Sequence, residues 1–86
     1  MARYRIEVSA TAERQIRKLP GDDRLRVLRA IKQLAGEPHP SGCRKLRGYE
    51  DVFRIRVGFY RIIYSVEGRR LLIIILKVGQ RKEIYR

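Results

Sequence analysis

Closely spaced arginines in the second half of the chain are the side chains best suited to chemistry. Arg54, Arg56 and Arg61 lie in two segments of alternating apolar and basic residues, separated by Gly58 and Phe59. A guanidinium group is permanently charged and binds phosphate through two parallel hydrogen bonds, whereas a lysine ammonium is a flexible point charge. The sequence therefore favours phosphate recognition over general solubilisation.

A hairpin at Gly58 and Phe59 would bring these arginines together. With those two residues as the loop, Arg56 stands opposite Arg61, and Arg54 follows two residues along the same strand. Opposed like charges cost roughly 0.2–1 kcal/mol per pair. Because a bound anion would offset this repulsion, the opposed arginines indicate an anion-binding face. The alternative is a solvated basic face whose charge is relieved by Glu50, Asp51 or Glu67. The opposite face would hold the core side chains Phe53, Ile55, Val57, Tyr60, Ile62 and Tyr64.

More basic residues flank this arginine face in the sequence. Arg44, Lys45, Arg47 and Lys82 are candidates for RNA binding, and Arg81 and Tyr85 are expected to reach the same groove as the three arginines. The expectation for Arg81 and Tyr85 assumes that the last strand ends beside the start of the first hairpin strand. The phenol of Tyr85 is suited to stacking on a base, or alternatively serves as a hydrophobic anchor of the C-terminus.

Other kinds of active site lack the residues that they need. Cys43 and His39 are the single cysteine and histidine, so neither an intrachain disulfide nor a metal cluster is expected. No carboxylate pair, Ser-His-Asp set or phosphate-binding loop is present, and His39 lies between two prolines, where a surface role is expected. No cofactor is indicated. No signal region precedes the first strand, and residues 71–76 are too short an apolar run to cross a bilayer, which predicts a cytoplasmic protein.

Length and charge indicate one domain with a polyanionic partner. The 86 residues fit a single domain over 1–86, and 44% hydrophobic residues suffice for a core. The formal net charge is +12, from 21 basic and 9 acidic residues. So large an excess on so short a chain points to nucleic acid or an acidic protein as the partner.

The elements that must position the arginines follow from hydrophobic periodicity. Residues 3–8 alternate as in a strand, and Ser9 or Thr11 can cap a helix that Pro20 and Gly21 end. A second helix begins at Asp22 and ends at Gly36. The predicted apolar residues of the two helices are Ala12, Ile16 and Leu19, then Leu25, Leu28, Ile31, Leu34 and Ala35.

The rest of the chain is typical of β-structure. Residues 45–48 form a short strand or lead-in, and strands are predicted at 52–57, 60–66 and 71–78, the last buried on both faces. The predicted fold is α+β: β-α-α followed by a three- or four-stranded antiparallel meander, with the helical hairpin on one face of the twisted sheet.

Three runs of this sequence, taken in order, resemble a known family. Residues 45–48 (Lys-Leu-Arg-Gly), 53–64 and 78–86 resemble the signature of RelE toxins from toxin–antitoxin pairs. The resemblance implies cleavage of messenger RNA in the ribosomal A site by attack of a ribose 2′-hydroxyl on the adjacent phosphate, without a metal. It also implies a RelB-like antitoxin that lays a helix along exposed apolar surface and displaces or covers the tail around Arg81 and Tyr85.

The resemblance also implies roles for individual residues. Arg61 would stabilise the phosphorane, Arg81 would stabilise or protonate the leaving 5′-oxygen, and Tyr85 would stack on a base. Several relatives have lysines in place of Arg54 and Arg56; as arginines these residues are expected to act as electrostatic clamps rather than bases. Several relatives also have a histidine where Gln80 stands, so no histidine serves as acid or base here.

Two other functions are compatible with the sequence. A ParE-like toxin shares the fold but poisons DNA gyrase, although such chains generally lack clustered arginines. A non-catalytic RNA-binding or ribosome-binding module would bind with a steep salt dependence and would not cleave.

Overall fold

A five-stranded sheet with two helices on one face forms the part of the chain, residues 3–80, that the computed structural model describes. The elements are β1 (Arg5–Val8), α1 (Ala10–Arg17), α2 (Gly21–Leu34), β2 (Arg44–Lys45), β3 (Val52–Val57), β4 (Tyr60–Glu67), a 3-10 turn (Gly68–Arg70) and β5 (Leu72–Gln80). The predicted α+β class and the order of its elements are confirmed.

The strand order is β1-β5-β4-β3-β2. Strands β2 to β5 form a four-stranded antiparallel meander, and β1 pairs with β5 in parallel. The two helices carry the chain from β1 to the far edge of the sheet, and the meander then returns to β1. At that far edge β2 pairs only with Phe53 and Arg54, so within residues 3–80 the rest of β3 has no strand partner on its outer side.

Helix α1 begins at the predicted Ser9 cap. The Ser9 hydroxyl accepts a hydrogen bond from the Ala12 amide at 3.1 Å and donates one to the Leu76 carbonyl at 3.0 Å, so it joins the helix to β5. Pro20 is the N-terminal cap of α2, which starts at Gly21. The predicted break between the helices is confirmed, and α2 starts one residue earlier than the predicted Asp22.

The predicted apolar stripe of α2 is partly wrong. Leu25 and Leu28 are 55% and 43% exposed, whereas Val27, Ile31 and Leu34 are buried against the sheet. Each residue turns the helix by about 100°, so side chains at i, i+4 and i+7 share the buried face while Leu25 and Leu28 point away from it. The sequence contains more apolar residues on this helix than one face can bury.

The core lies between the helices and the predicted inner face of the hairpin. Ile55, Tyr60, Ile62 and Tyr64 are buried there, and Phe53 and Val57 pack against them, as predicted. Each fully buried aliphatic side chain contributes roughly 1.5–3 kcal/mol. No helix among the described residues has the length and apolar character needed to cross a membrane.

Candidate nucleic-acid interface

The β3–β4 hairpin places its arginines as the sequence predicted. Arg56 is paired with Arg61 and Arg54 with Ile63, and Gly58 and Phe59 form the two-residue loop. Gly58 has a φ of 59°, a left-handed conformation that glycine adopts without steric cost. The tight loop fixes the register, and the register puts Arg54, Arg56 and Arg61 on the face opposite the helices.

Arg61 is the buried member of this set. Only 7% of it is exposed, although it lies on the face without helices. Its neighbours across the sheet are Arg56 on β3 and Gly79 on β5. Gly79 contributes no side chain next to Arg61. Arg61 thus lies at the centre of the sheet, opposite one like charge and next to a residue without a side chain.

Strand β2 adds a second pair of opposed arginines. Arg44 pairs with Arg54, while Lys45 pairs with Phe53 and so belongs to the helix-covered side. Arg47 is exposed in the turn that follows. The structure thus brings Arg44 to the predicted face and keeps Lys45 and Arg47 apart from it.

Among residues 3–80, no acidic side chain forms an ion pair with Arg44 or Arg54. The ion pairs within residues 3–80 join Arg5 to Glu7, Arg17 to Glu13 and Arg70 to Glu67, all away from these two arginines. Glu67, which we considered a partner for the arginine face, pairs with Arg70 at 3.0 Å. Within residues 3–80, Arg44 and Arg54 therefore have no carboxylate that compensates their charge.

The end of β5 lies next to the hairpin loop, whereas the sequence predicted it beside the start of β3, at the other end of the hairpin. Gln80 pairs with Tyr60 and Gly79 with Arg61, next to the loop, so β5 ends level with the end of β3 rather than its start. Two successive antiparallel pairings make β5 run in the same direction as β3. The described part of β5 therefore ends beside Arg61; Arg81, Lys82 and Tyr85 lie outside the described residues.

A groove of about 1130 Å³ opens between α2 and β3. Its floor includes Leu34, Ile55 and Val57, and one wall is the loop around Pro40 and Gly42. Six basic side chains line this α2–β3 groove, against one carboxylate, Glu37: Arg3, Arg29, Lys32, Arg44, Arg54 and Arg56.

Sequence reasoning missed three of these six residues. Arg29 and Lys32 stand three residues apart on an exposed face of α2, and Arg3 precedes β1. The i, i+3 spacing was a usable signal for a basic stripe on the helix. Their proximity to Arg54 and Arg56 depends on how α2 packs on the sheet, which local spacing does not specify.

Tyr64 fixes the loop that forms the groove wall. Its hydroxyl donates to the Pro38 carbonyl at 2.8 Å and lies 3.2 Å from the Cys43 sulfur. Burial is the main reason that the pKa of Tyr64 is raised well above its ordinary value, and the Cys43 contact adds to the effect. Cys43 thus packs as part of the loop anchor.

His39 is exposed in the loop that precedes this wall, in line with the surface role expected for it. Its ring packs edge-on against Phe53 with centroids 4.6 Å apart. Over residues 3–80, no three His, Cys, Asp or Glu side chains are grouped so as to hold a metal ion.

Comparison with known proteins gives one family and its structures. The model of the ParE toxin of type II toxin–antitoxin systems matches residues 6–85. Toxin RelG of Mycobacterium tuberculosis is 32% identical over 88 residues, covering 96% of this chain and 97% of the relative.

Solved toxin–antitoxin complexes contain the same fold. The archaeal RelE–RelB complex from Pyrococcus horikoshii gives a TM-score of 0.82 at 33% identity, over 93% of this chain and 97% of that one. The RelBE2 complex of Mycobacterium tuberculosis gives 0.83 at 28% identity, over 96% and 97%.

Proposed function

The chain belongs to the RelE family of type II toxin–antitoxin toxins, and on that premise we propose that it is a ribosome-dependent endoribonuclease that cuts messenger RNA in the ribosomal A site and so inhibits translation. The observation that carries the proposal is the pairing of Arg56 with Arg61 on the face of the sheet opposite the helices, with Arg54 on β3 beside Arg56. Such a cluster suits a reaction whose transition state gains negative charge at phosphorus.

The proposed reaction needs no metal and no cofactor. The ribose 2′-oxygen bonds to the adjacent phosphorus and gives its proton to water, the bond from phosphorus to the 5′-oxygen breaks, and that oxygen takes up a proton from water. The products are a 2′,3′-cyclic phosphate and a 5′-hydroxyl. Catalysis by arginines then consists mainly of orientation and charge stabilisation.

Each site residue has a part in this proposal. The buried Arg61 stabilises the phosphorane, while Arg54 and Arg56 clamp the phosphate. Arg81 follows β5, which ends beside Arg61, and is assigned to the leaving oxygen; Tyr85 is assigned to stacking on a base. None of these groups is an efficient base near neutral pH, so the substrate must be bent for attack, which accounts for the need for a ribosome.

A RelB-like antitoxin is the proposed inhibitor. Several of the structural relatives, including those from Pyrococcus horikoshii and Mycobacterium tuberculosis, are toxin–antitoxin complexes. On this chain, Leu25 and Leu28 of α2 provide exposed apolar surface for a helix of such a partner.

Primer extension on programmed ribosomes tests the proposal. The purified chain is added to ribosomes carrying a defined messenger RNA, and in parallel to the same RNA alone. We expect cuts in phase with codons only when ribosomes are present. Arg61→Ala and Arg81→Ala should abolish cleavage while retaining the fold, and Arg69→Ala, in the exposed 3-10 turn, is the control. Normal cutting by both site variants would show that the site assignment is wrong.

Gyrase poisoning is the second candidate, because the matching family model is that of the ParE toxin. Growth arrest without RNA cleavage, together with gyrase-dependent breaks in supercoiled DNA in vitro, would replace the nuclease proposal by this one. Growth arrest with neither activity would favour a non-catalytic block of translation.

A further inference from the structure

The α2–β3 groove extends the positive charge of the arginine face around the edge of the sheet. Arg54 and Arg56 belong to both surfaces: they are part of the hairpin cluster and they line the groove. From them the basic lining continues through Arg44 to Arg29 and Lys32 on α2. An anion bound at the hairpin therefore has a continuous basic path into the groove.

The volume of the groove and the composition of its lining favour a chain of phosphodiesters over a small anion. The volume of about 1130 Å³ exceeds the range of roughly 300–1,000 Å³ typical of pockets for drug-sized ligands. Five of the six basic residues are arginines, which bind phosphate in a bidentate manner. A single small anion would compensate only part of this charge.

An acidic peptide fits the lining less well than RNA does. A nucleic-acid strand carries a charge on every nucleotide, so successive phosphates can meet successive arginines. A peptide matches the same density only if almost every residue that faces the groove is acidic. The shared residues Arg54 and Arg56 also already belong to the surface assigned to RNA.

We propose that the α2–β3 groove is a second binding site for RNA backbone, formed by Arg3, Arg29, Lys32 and Arg44 and continuous with the cleavage site at Arg54 and Arg56. The inference rests on the proposed function, because it takes RNA as the substrate class. The bound backbone belongs either to the messenger strand that extends from the cleavage site or to ribosomal RNA around it; both present the same phosphodiester chemistry.

The test compares two double variants with equal losses of charge. The groove variant is Arg29→Gln with Lys32→Gln. The control is Arg14→Gln on α1 with Lys18→Gln at the C-terminal cap of α1, both outside the groove lining. All four side chains are exposed, and each variant loses one arginine and one lysine. Both should therefore fold like the wild type, which urea unfolding verifies.

Affinities are measured for two probes over a series of salt concentrations. One probe is a fluorescent 20-nucleotide 2′-O-methyl RNA, which cannot be cut by 2′-hydroxyl attack, and the other is vacant ribosomes. We expect the groove variant to bind at least one probe about 5- to 20-fold more weakly than the control does. The slope of the logarithm of the binding constant against the logarithm of the salt concentration should also become smaller, by about 1 for each phosphate that the variant no longer binds. Weaker binding of the single strand identifies the messenger, and weaker binding of ribosomes identifies ribosomal RNA.

Equal binding by the two variants to both probes would overturn the proposal. So would an effect confined to a Glu-rich peptide, which would assign the groove to a protein partner. The nuclease proposal is judged separately: if the wild type binds through the groove but cuts no messenger on programmed ribosomes, the groove inference stands and the cleavage proposal fails.

Discussion

Arg61 combines a permanent charge with almost complete burial. Its neighbours in the register, Arg56 and Gly79, supply a like charge on one side and no side chain on the other. In this setting the shape of the guanidinium matters as much as its charge, because a planar fork can hold two oxygens of one phosphate.

Arg61→Lys separates these two contributions. The change keeps the charge and loses the bidentate geometry, so we expect cleavage on programmed ribosomes to fall by at least about 10-fold, with little change in the urea midpoint. Arg69→Lys is the control on exposed surface. Full activity of Arg61→Lys would mean that charge alone is sufficient.

Tyr64 links the core to the wall of the groove through one buried hydroxyl. Tyr64→Phe leaves the Pro38 carbonyl without this donor, and we expect a loss of about 1–3 kcal/mol in the free energy of unfolding at pH 7. Tyr49→Phe, at a side chain that is 62% exposed, should have no effect.

The same hydroxyl gives stability a dependence on alkaline pH. Because folding raises the pKa of Tyr64 above its ordinary value of 10.0, the folded chain retains a proton that the unfolded chain releases. Its contribution is fully present below about pH 10 and declines as the pH rises further. Urea unfolding between pH 8 and 11 should show the gap between wild type and Tyr64→Phe narrowing above pH 10; a constant gap would contradict this account.

At the scale of elements, the hairpin shows what local sequence can specify. Gly58 and Phe59 predicted the loop, the register and the faces of both strands, since a two-residue turn sets all three. The α2 stripe was less predictable: Leu25 and Leu28 fit a helical period but lie outside the face that packs on the sheet. Periodicity indicates that a helix forms and does not fix its rotation against a partner.

Gly58→Ala tests the turn. A Cβ at this position meets no atom within 4 Å, but the φ of 59° is unfavourable for alanine, so we expect a loss of about 1 kcal/mol in the free energy of unfolding. Gly21→Ala, also in open space and without a positive φ, should be neutral or slightly stabilising at the start of α2. Equal effects of the two changes would show that the backbone conformation is not the cause.

Helix α1 supports the part of β5 that β1 does not reach. The pairing with β1 stops at Ile75, and beyond it the Gln15 side-chain oxygen accepts a hydrogen bond from the Val78 amide at 2.7 Å. This contact steadies the strand next to Gly79, opposite Arg61.

Gln15→Ala should therefore loosen one end of β5. We expect faster hydrogen exchange at the Val78 amide and a global loss of about 1 kcal/mol, while amides of β3 keep their protection. Arg14→Ala, one residue earlier on the exposed side of α1, is the control. Unchanged exchange at Val78 would show that the bond contributes little.

At the scale of the whole molecule, charge and shape were predictable to different degrees. The net charge of +12 is read directly from the sequence and indicates an anionic partner. The α2–β3 groove is assembled from residue 3, the α2 segment, the loop after it and β3. No local pattern joins segments so far apart, and the same holds for the parallel pairing of β1 with β5.

Association with RNA should therefore be strongly dependent on salt. If about six phosphates are neutralised, a plot of the logarithm of the binding constant for single-stranded RNA against the logarithm of the salt concentration has a slope of about −4. Fluorescence anisotropy between 50 and 300 mM KCl measures it, with urea unfolding at each concentration to confirm that the fold persists. A slope near −1 would mean that one phosphate contact dominates.

The short β2 strand has a consequence for self-association. Past Arg54 the outer side of β3 has no strand partner within residues 3–80, and an uncovered strand edge is a template on which identical chains can aggregate. Arg54 and Arg56 place charge along this edge, so two copies that approach edge to edge repel each other. Arg54 and Arg56, which are assigned to RNA binding, thus also oppose aggregation. Light scattering must accompany any assay of a variant in which both arginines are neutralised.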